Sequence, residues 1–179
     1  MFPFRKPRLS VVPEPAEPPL AEQALAHVDA LYNLARHLCA SPTDAEDLVQ
    51  ETYARALGGA SRFAGGNVRA WLFRILRNCF IDQARRKQVV LEIPDDAVGE
   101  REELWDARAL EQLRYLTASD IERAVAALPV ELRFIVLLDA EGFSEAEIAD
   151  IARCAAGTVK SRLSRARARL RAALEEHRP

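Results

Sequence analysis

The chain has 179 residues, 49% apolar and 29% charged, with few aromatics and a formal net charge of −2. That length allows one compact domain or two small ones, and the dominance of Ala, Leu, Arg and Glu favours an all-α fold. The three cysteines, Cys39, Cys79 and Cys154, are widely separated and form no CxxC pair, which argues against a disulfide framework and against a zinc site; no apolar run approaches the ~20 residues a membrane span requires.

The small net charge conceals an uneven distribution. Six cations and no acid lie between Lys160 and Arg171, whereas residues 88–118 hold eight acids against three arginines. An acidic segment can thus mask a basic surface in the total.

Six of the ten prolines fall within the first 20 residues, so residues 1–19 are expected to form a disordered tail. This stretch has cations but no continuous apolar core, so it does not read as a secretory signal, and a cytoplasmic location is expected. Apolar residues then recur at helical spacing from Leu20 to Leu38. Ser41-Pro42 breaks this helix, and Thr43 with Glu46 forms a capping-box pattern that starts the next, which runs to about Leu57 before Gly58-Gly59. After a short loop, Ala60 to Asn67, a third helix is expected from Val68 to Lys87, with Trp71, Leu72, Ile75, Leu76, Cys79 and Phe80 on its inner stripe. These elements make a first domain, residues 20–87. Residues 88–118 read as a flexible acidic linker with one helical stretch from Glu102 to Leu116.

The second domain, residues 119–179, opens with Ser119 and Glu122 as a further capping-box pattern. Pro129 fits the first turn of the next helix, Gly142 ends it, and Ser144 with Glu147 caps a third, Ser144 to Ala152. A turn from Arg153 to Gly157 leads into a last helix from about Thr158 to Glu176. The fold expected is therefore all-α: two small helical domains joined by a flexible acidic linker, the C-terminal one a helix-turn-helix.

The segment from Ser144 to Ala152, a tight turn, then Gly157 to Arg165 carries the helix-turn-helix pattern. Val159 and Leu163 can pack inward, which turns Lys160, Ser161, Ser164 and Arg165 outward at the start of the second helix, where this motif meets base edges. Arg162, Arg167 and Arg169 suit phosphates. An arginine-rich helix by itself is more often a solvated face; the capped preceding helix and tight turn favour DNA. In the first domain, aromatics interleave with cations from Phe63 to Phe80, a pattern that suits single-stranded nucleic acid. By periodicity alone, Trp71 and Phe80, on or near the inner stripe, read as core rather than as a nucleic-acid surface. The acidic helix face of Asp44, Glu46, Asp47 and Glu51, with Gln50, is either solvated or a dock for a basic partner.

Asp44 to Glu51, together with Arg69 to Asn78, Ile81-Asp82 and Arg85-Arg86, resembles the second conserved region of bacterial sigma factors of the extracytoplasmic-function (ECF) group. Ala127-Leu128-Pro129 onward, through Gly157 to Arg167, resembles their fourth region. The resemblance implies a factor that binds core RNA polymerase and directs promoter-specific initiation, with no cofactor, under the control of an anti-sigma factor. It implies that Asp47, Gln50 and Glu51 face the polymerase clamp helices. It implies that the loop from Phe63 to Asn67, with Trp71, Arg74 and Asn78 beside it, takes a flipped base of the minus-ten element. It places the readers of the minus-thirty-five element at Lys160, Ser161, Ser164 and Arg165, on a helix whose first turns also carry Thr158 and Arg162 within the DNA-binding set.

Three other readings compete. A sigma-like mimic that only sequesters an anti-sigma factor has no need of the Lys160–Arg171 cations or of the Trp71–Asn78 motif. A stand-alone repressor leaves the first domain without a task. An enzyme finds no constellation among His27, His37 and His177 with the cysteines or carboxylates. The free factor is expected to bind promoter DNA poorly until polymerase fixes the spacing of its two modules.

Overall fold

The computed structural model describes residues 18–86 and 117–175, and every described element is helical. The expected tail and the expected linker with its helical stretch lie outside the described residues. The N-terminal module contains α1 (Leu20–Leu25), α2 (Val28–Leu38), α3 (Pro42–Gly58), a 3-10 turn (Ala60–Arg62) and α4 (Val68–Arg86). The C-terminal module contains α5 (Ala118–Ala127), α6 (Val130–Ala140), α7 (Glu145–Ala152) and α8 (Ala156–Glu175).

Several boundaries differ from the sequence reading. The single helix expected from Leu20 to Leu38 is divided at Ala26-His27. The break frees the Ala24 carbonyl, which accepts bonds from the His27 N–H (3.1 Å) and, across the fold, from the Tyr53 hydroxyl (2.8 Å). The cap of α3 is Ser41, not Thr43: Ser41 Oγ accepts from the Asp44 N–H at 3.1 Å. Pro42 then occupies the first helical turn, where a missing N–H leaves no bond unmade. In the C-terminal module the working capping box is Thr117 with Asp120 rather than Ser119 with Glu122. The Ser144–Glu147 box caps α7 as expected.

α2, α3 and α4 pack through Leu31, Leu34, Leu48, Leu72 and Leu76, each no more than 2% exposed. A fully buried leucine contributes roughly 1.5–3 kcal/mol relative to an exposed one. The inner stripe of α4 is rotated from the expected one: Leu72, Phe73, Leu76 and Cys79 are buried, while Trp71, Ile75 and Phe80 are half-buried at its edge. Phe134, Ile135, Leu138, Phe143, Ile148 and Ile151 of the C-terminal module join the same apolar cluster. The two modules thus share one core, with α4 lying against α7 and α2 against α6.

Candidate nucleic-acid interface

In the helix-turn-helix, α7 ends at Arg153, whose φ of 51° is the one positive value at a non-glycine among the described residues. This left-handed residue turns the chain at once, and α8 begins two residues before the expected Thr158. Val159, Arg162, Leu163 and Ala166 form the buried stripe of α8 at spacings of three and four. Lys160 consequently lies exposed on the opposite side, with Thr158, Ser161, Ser164 and Arg165 half-exposed around it. Ser161 Oγ donates to the Thr158 carbonyl at 3.0 Å, and Arg165 Nε to the Ser161 carbonyl at 3.4 Å, which holds these side chains along the helix surface.

Arg162 departs from the outward group expected of it. It is 8% exposed and approaches Glu131 of α6 at 3.7 Å. The signal was present in the sequence: Arg162 falls at the second position, i+3, of an otherwise apolar i, i+3, i+4, i+7 stripe. Arg167 also meets an α6 acid, Asp139, at 2.8 Å, but at the surface.

In the N-terminal module, Asn67 caps α4, its Oδ1 accepting from the Ala70 N–H at 3.1 Å. The preceding loop depends on Gly65 and Gly66, with φ of 89° and 97°, values that L side chains rarely adopt. Phe63 packs on Trp71 with ring centroids 5.0 Å apart, and both are half-buried. Trp71 therefore serves the core with one part of its ring and keeps another at the surface, beside Arg74 and Asn78, which are also half-exposed.

On α3, Asp47 and Gln50 are exposed, and Leu57 follows on the same side at 49% exposure. Glu51 is half-buried and bonded to Arg55 at 2.7 Å; Arg55 also binds Asp82 of α4 at 2.8 Å. Arg55 holds the Asp82 carboxyl below the usual carboxylate range. Glu51 is thus tied into a network joining α3 to α4, while Asp47 and Gln50 face outward.

The arrangement places the minus-ten and minus-thirty-five candidates on different modules and brings the first set against the second module. Asn67 Nδ2 donates to Glu147 at 2.9 Å, and Arg74 is ion-paired with Asp150. Arg69, between them, pairs with Glu141 and lies 4.5 Å over the Phe143 ring, which meets Phe73 edge-on at 5.0 Å. Sequence reasoning missed these partners, because contacts between residues 70 or more positions apart leave no local pattern.

Two helical modules, one ending in a helix-turn-helix with a basic outward face and the other presenting aromatics and cations beside a glycine-shaped loop, define a DNA-binding protein. Residues 24–89 match Sigma-70 region 2, and residues 118–170 match Sigma-70, region 4. The chain is 38% identical to the ECF RNA polymerase sigma factor EcfG of Rhodopseudomonas palustris over 87% of this chain and 84% of that protein. It is 36% identical to the ECF sigma factor SigE of Mycolicibacterium smegmatis over 90% of this chain and 64% of that longer protein. Among solved structures, it resembles the sigma factor RpoE of Bartonella quintana, determined in complex with the anti-sigma factor NepR. The TM-score is 0.67 at 36% identity, covering 88% of this chain and 97% of that one. It also resembles CnrH, in complex with the cytosolic domain of CnrY, with a TM-score of 0.56 at 27% identity, covering 89% and 97%.

The chain belongs to the ECF RNA polymerase sigma factors. It is accordingly a transcription initiation factor that acts with core RNA polymerase at promoter DNA. Among the described residues, no helix is long and apolar enough to cross a membrane.

Proposed function

We propose that this sigma factor divides its task among three surfaces and performs no chemistry of its own. Asp47, Gln50 and Glu51 on α3 dock on core polymerase in the cytoplasm. The loop from Phe63 to Asn67, with Trp71, Arg74 and Asn78 on α4, captures the minus-ten element. Thr158, Lys160, Ser161, Ser164 and Arg165 on α8 read the minus-thirty-five element, while Arg162 anchors α8 on α6.

The observation that carries the reading is the orientation of α8. Its apolar stripe faces the core, so a lysine, two serines and an arginine share the side that the motif turns to the major groove. Arginine and lysine suit guanine acceptors there. The half-exposed Trp71, packed at a tilt against Phe63 beside a loop shaped by two glycines with positive φ, supports base capture: stacking and pocket contacts offset the few kcal/mol that flipping requires. Control by an anti-sigma factor is supported by the two solved relatives, the first described in complex with the anti-sigma factor NepR and the second with the cytosolic domain of CnrY.

The test is selection of promoter fragments by holoenzyme assembled from this chain and core polymerase. Arg165→Ala is expected to relax base preference within the upstream element only, and Asn78→Ala within the downstream element only. Equal loss on all fragments from both variants would reduce both residues to phosphate contacts and remove the assignment.

A further inference from the structure

An open cleft of about 600 Å³ lies between the α1–α2 corner and the start of α4, lined wholly by the N-terminal module. That volume falls in the range of small-ligand sites. Ala26 and Val68 give the cleft apolar walls, and Gly66 leaves another side open, since a Cβ built there meets nothing within 4 Å. The polar lining on the α1 side is Glu22, Gln23 and His27. The Gln23 amide nitrogen donates to the Pro18 carbonyl at 2.6 Å, which leaves the amide oxygen as an acceptor. Glu22 is an exposed carboxylate at the rim. Burial, and then the charge of Arg69, push the half-buried His27 ring below its usual value, so at pH 7 it is neutral, with one N–H to donate.

The cleft adjoins the loop given above to base capture. Phe63, at one end of that loop, packs on Trp71; Gly66 and Asn67, at the other, line the cleft. The step from Phe63 to Gly66 spans at most about 11 Å. A stacked strand already advances about 3.4 Å per nucleotide, so a strand lying along the loop reaches the cleft within about three nucleotides of the captured base. A base is a flat ring with a polar edge, and apolar walls with a polar side suit that shape. Two acceptors and one donor match an edge that carries an amino group beside a ring-nitrogen acceptor. Adenine and cytosine have that edge; guanine and thymine present an oxygen beside a ring N–H. A rim carboxylate repels a phosphate, so the ligand is the base rather than the backbone.

We propose that this cleft is a second base site, in which Glu22, Gln23 and His27 read an unpaired adenine or cytosine on the same promoter strand as the base captured at Phe63–Asn67. The Glu22 carboxylate and the Gln23 amide oxygen accept from the exocyclic amine, as carboxylates do from cytosine, and His27 donates to the ring nitrogen. The inference rests on the assignment of that loop to base capture.

The test uses holoenzyme assembled from this chain and core polymerase, with forked promoter fragments whose downstream element is single-stranded and randomised. Bound fragments are sequenced. The parent is expected to show two preferred positions within about three nucleotides, the second taking adenine or cytosine. Glu22→Ala with His27→Ala should cut the second preference about ten-fold, the low end for a base-edge contact, and leave the first intact. Glu22→Arg should turn the second preference toward guanine or thymine, whose exocyclic oxygens accept; a merely structural role of α1 produces no such reversal. Asp29→Ala, an exposed acid outside the cleft, should change neither position. Circular dichroism and core-polymerase binding check that each variant folds. A second position with no preference in the parent, or one that the Glu22 and His27 variants leave untouched, overturns this proposal alone when Asn78→Ala still flattens the first. An equal effect of Asp29→Ala overturns it by reducing the cleft to bulk charge. If Asn78→Ala leaves the first preference intact, base capture on α4 fails, and the second site falls with it.

Discussion

Two arginines three residues apart on α8 should behave as different classes of residue. Arg162 is 8% exposed and faces Glu131, whose side chain is 16% exposed, at 3.7 Å; Arg165 is half-exposed on the outward side. Arg162→Ala removes one partner of a nearly buried pair and leaves the Glu131 carboxylate uncompensated, which typically costs about 3–5 kcal/mol. The separation is long for a direct hydrogen bond, and Arg77 of α4 also lies within electrostatic reach of Glu131, so the lower end, about 3 kcal/mol, applies. For a chain of this size that is a fall in melting temperature of about 6–12 °C. Arg165→Ala should leave stability within about 0.5 kcal/mol of the parent and lower the affinity of holoenzyme for its own promoters by about 1–3 kcal/mol. The assays are thermal unfolding of the free chain and promoter binding by holoenzyme. Arg162→Met with Glu131→Leu, which replaces the pair by apolar side chains, should recover most of the stability. An Arg162→Ala chain that melts like the parent yet loses promoter selectivity would refute the reasoning, because Arg162 would then be working at the DNA.

Phe73→Ala removes a fully buried ring from the core shared by the two modules and is expected to cost about 3–5 kcal/mol, seen as a lower denaturant midpoint. Gly66→Ala forces a side chain onto a backbone at φ 97° and should destabilise the loop by about 1–3 kcal/mol, with downstream-element binding falling more than core-polymerase binding. Stability should be fully present at neutral pH and decline below the ordinary carboxylate range of about 4. The reason is that folded-state carboxyls are held down: Asp120 to about 2 by the Thr117 hydroxyl and backbone N–H, and Glu147 by the Ser144 backbone N–H and hydroxyl. Each depressed group contributes above its unfolded value and ceases to as pH falls through its folded value. Thr117→Ala removes the largest cause at Asp120 and should make the acid-unfolding curve shallower.

What the sequence revealed follows from the range of the interactions involved. The Ser144–Glu147 box and the apolar spacing of α7 and α8 are local, and they located the helix-turn-helix. Thr117–Asp120 and Ser119–Glu122 satisfy the same local pattern, and only the folded chain shows that the earlier pair is used while Ser119 stays exposed. The break at Ala26-His27 carries no glycine or proline, and the Tyr53 hydroxyl, 29 residues from the Ala24 carbonyl it meets, supports it. Arg162 was read by its charge rather than by its place in the apolar stripe. The pairing of α4 with the acids of α6 and α7 depends on how the modules dock, which no single segment encodes.

Run-off transcription with purified core polymerase on a genomic promoter library tests the central claim most directly. Initiation should be restricted to one promoter class, sharing an upstream and a downstream element at fixed spacing. A chain that fails to associate with core polymerase, or that supports no selective initiation with it, would contradict the account however well α7 and α8 match a helix-turn-helix.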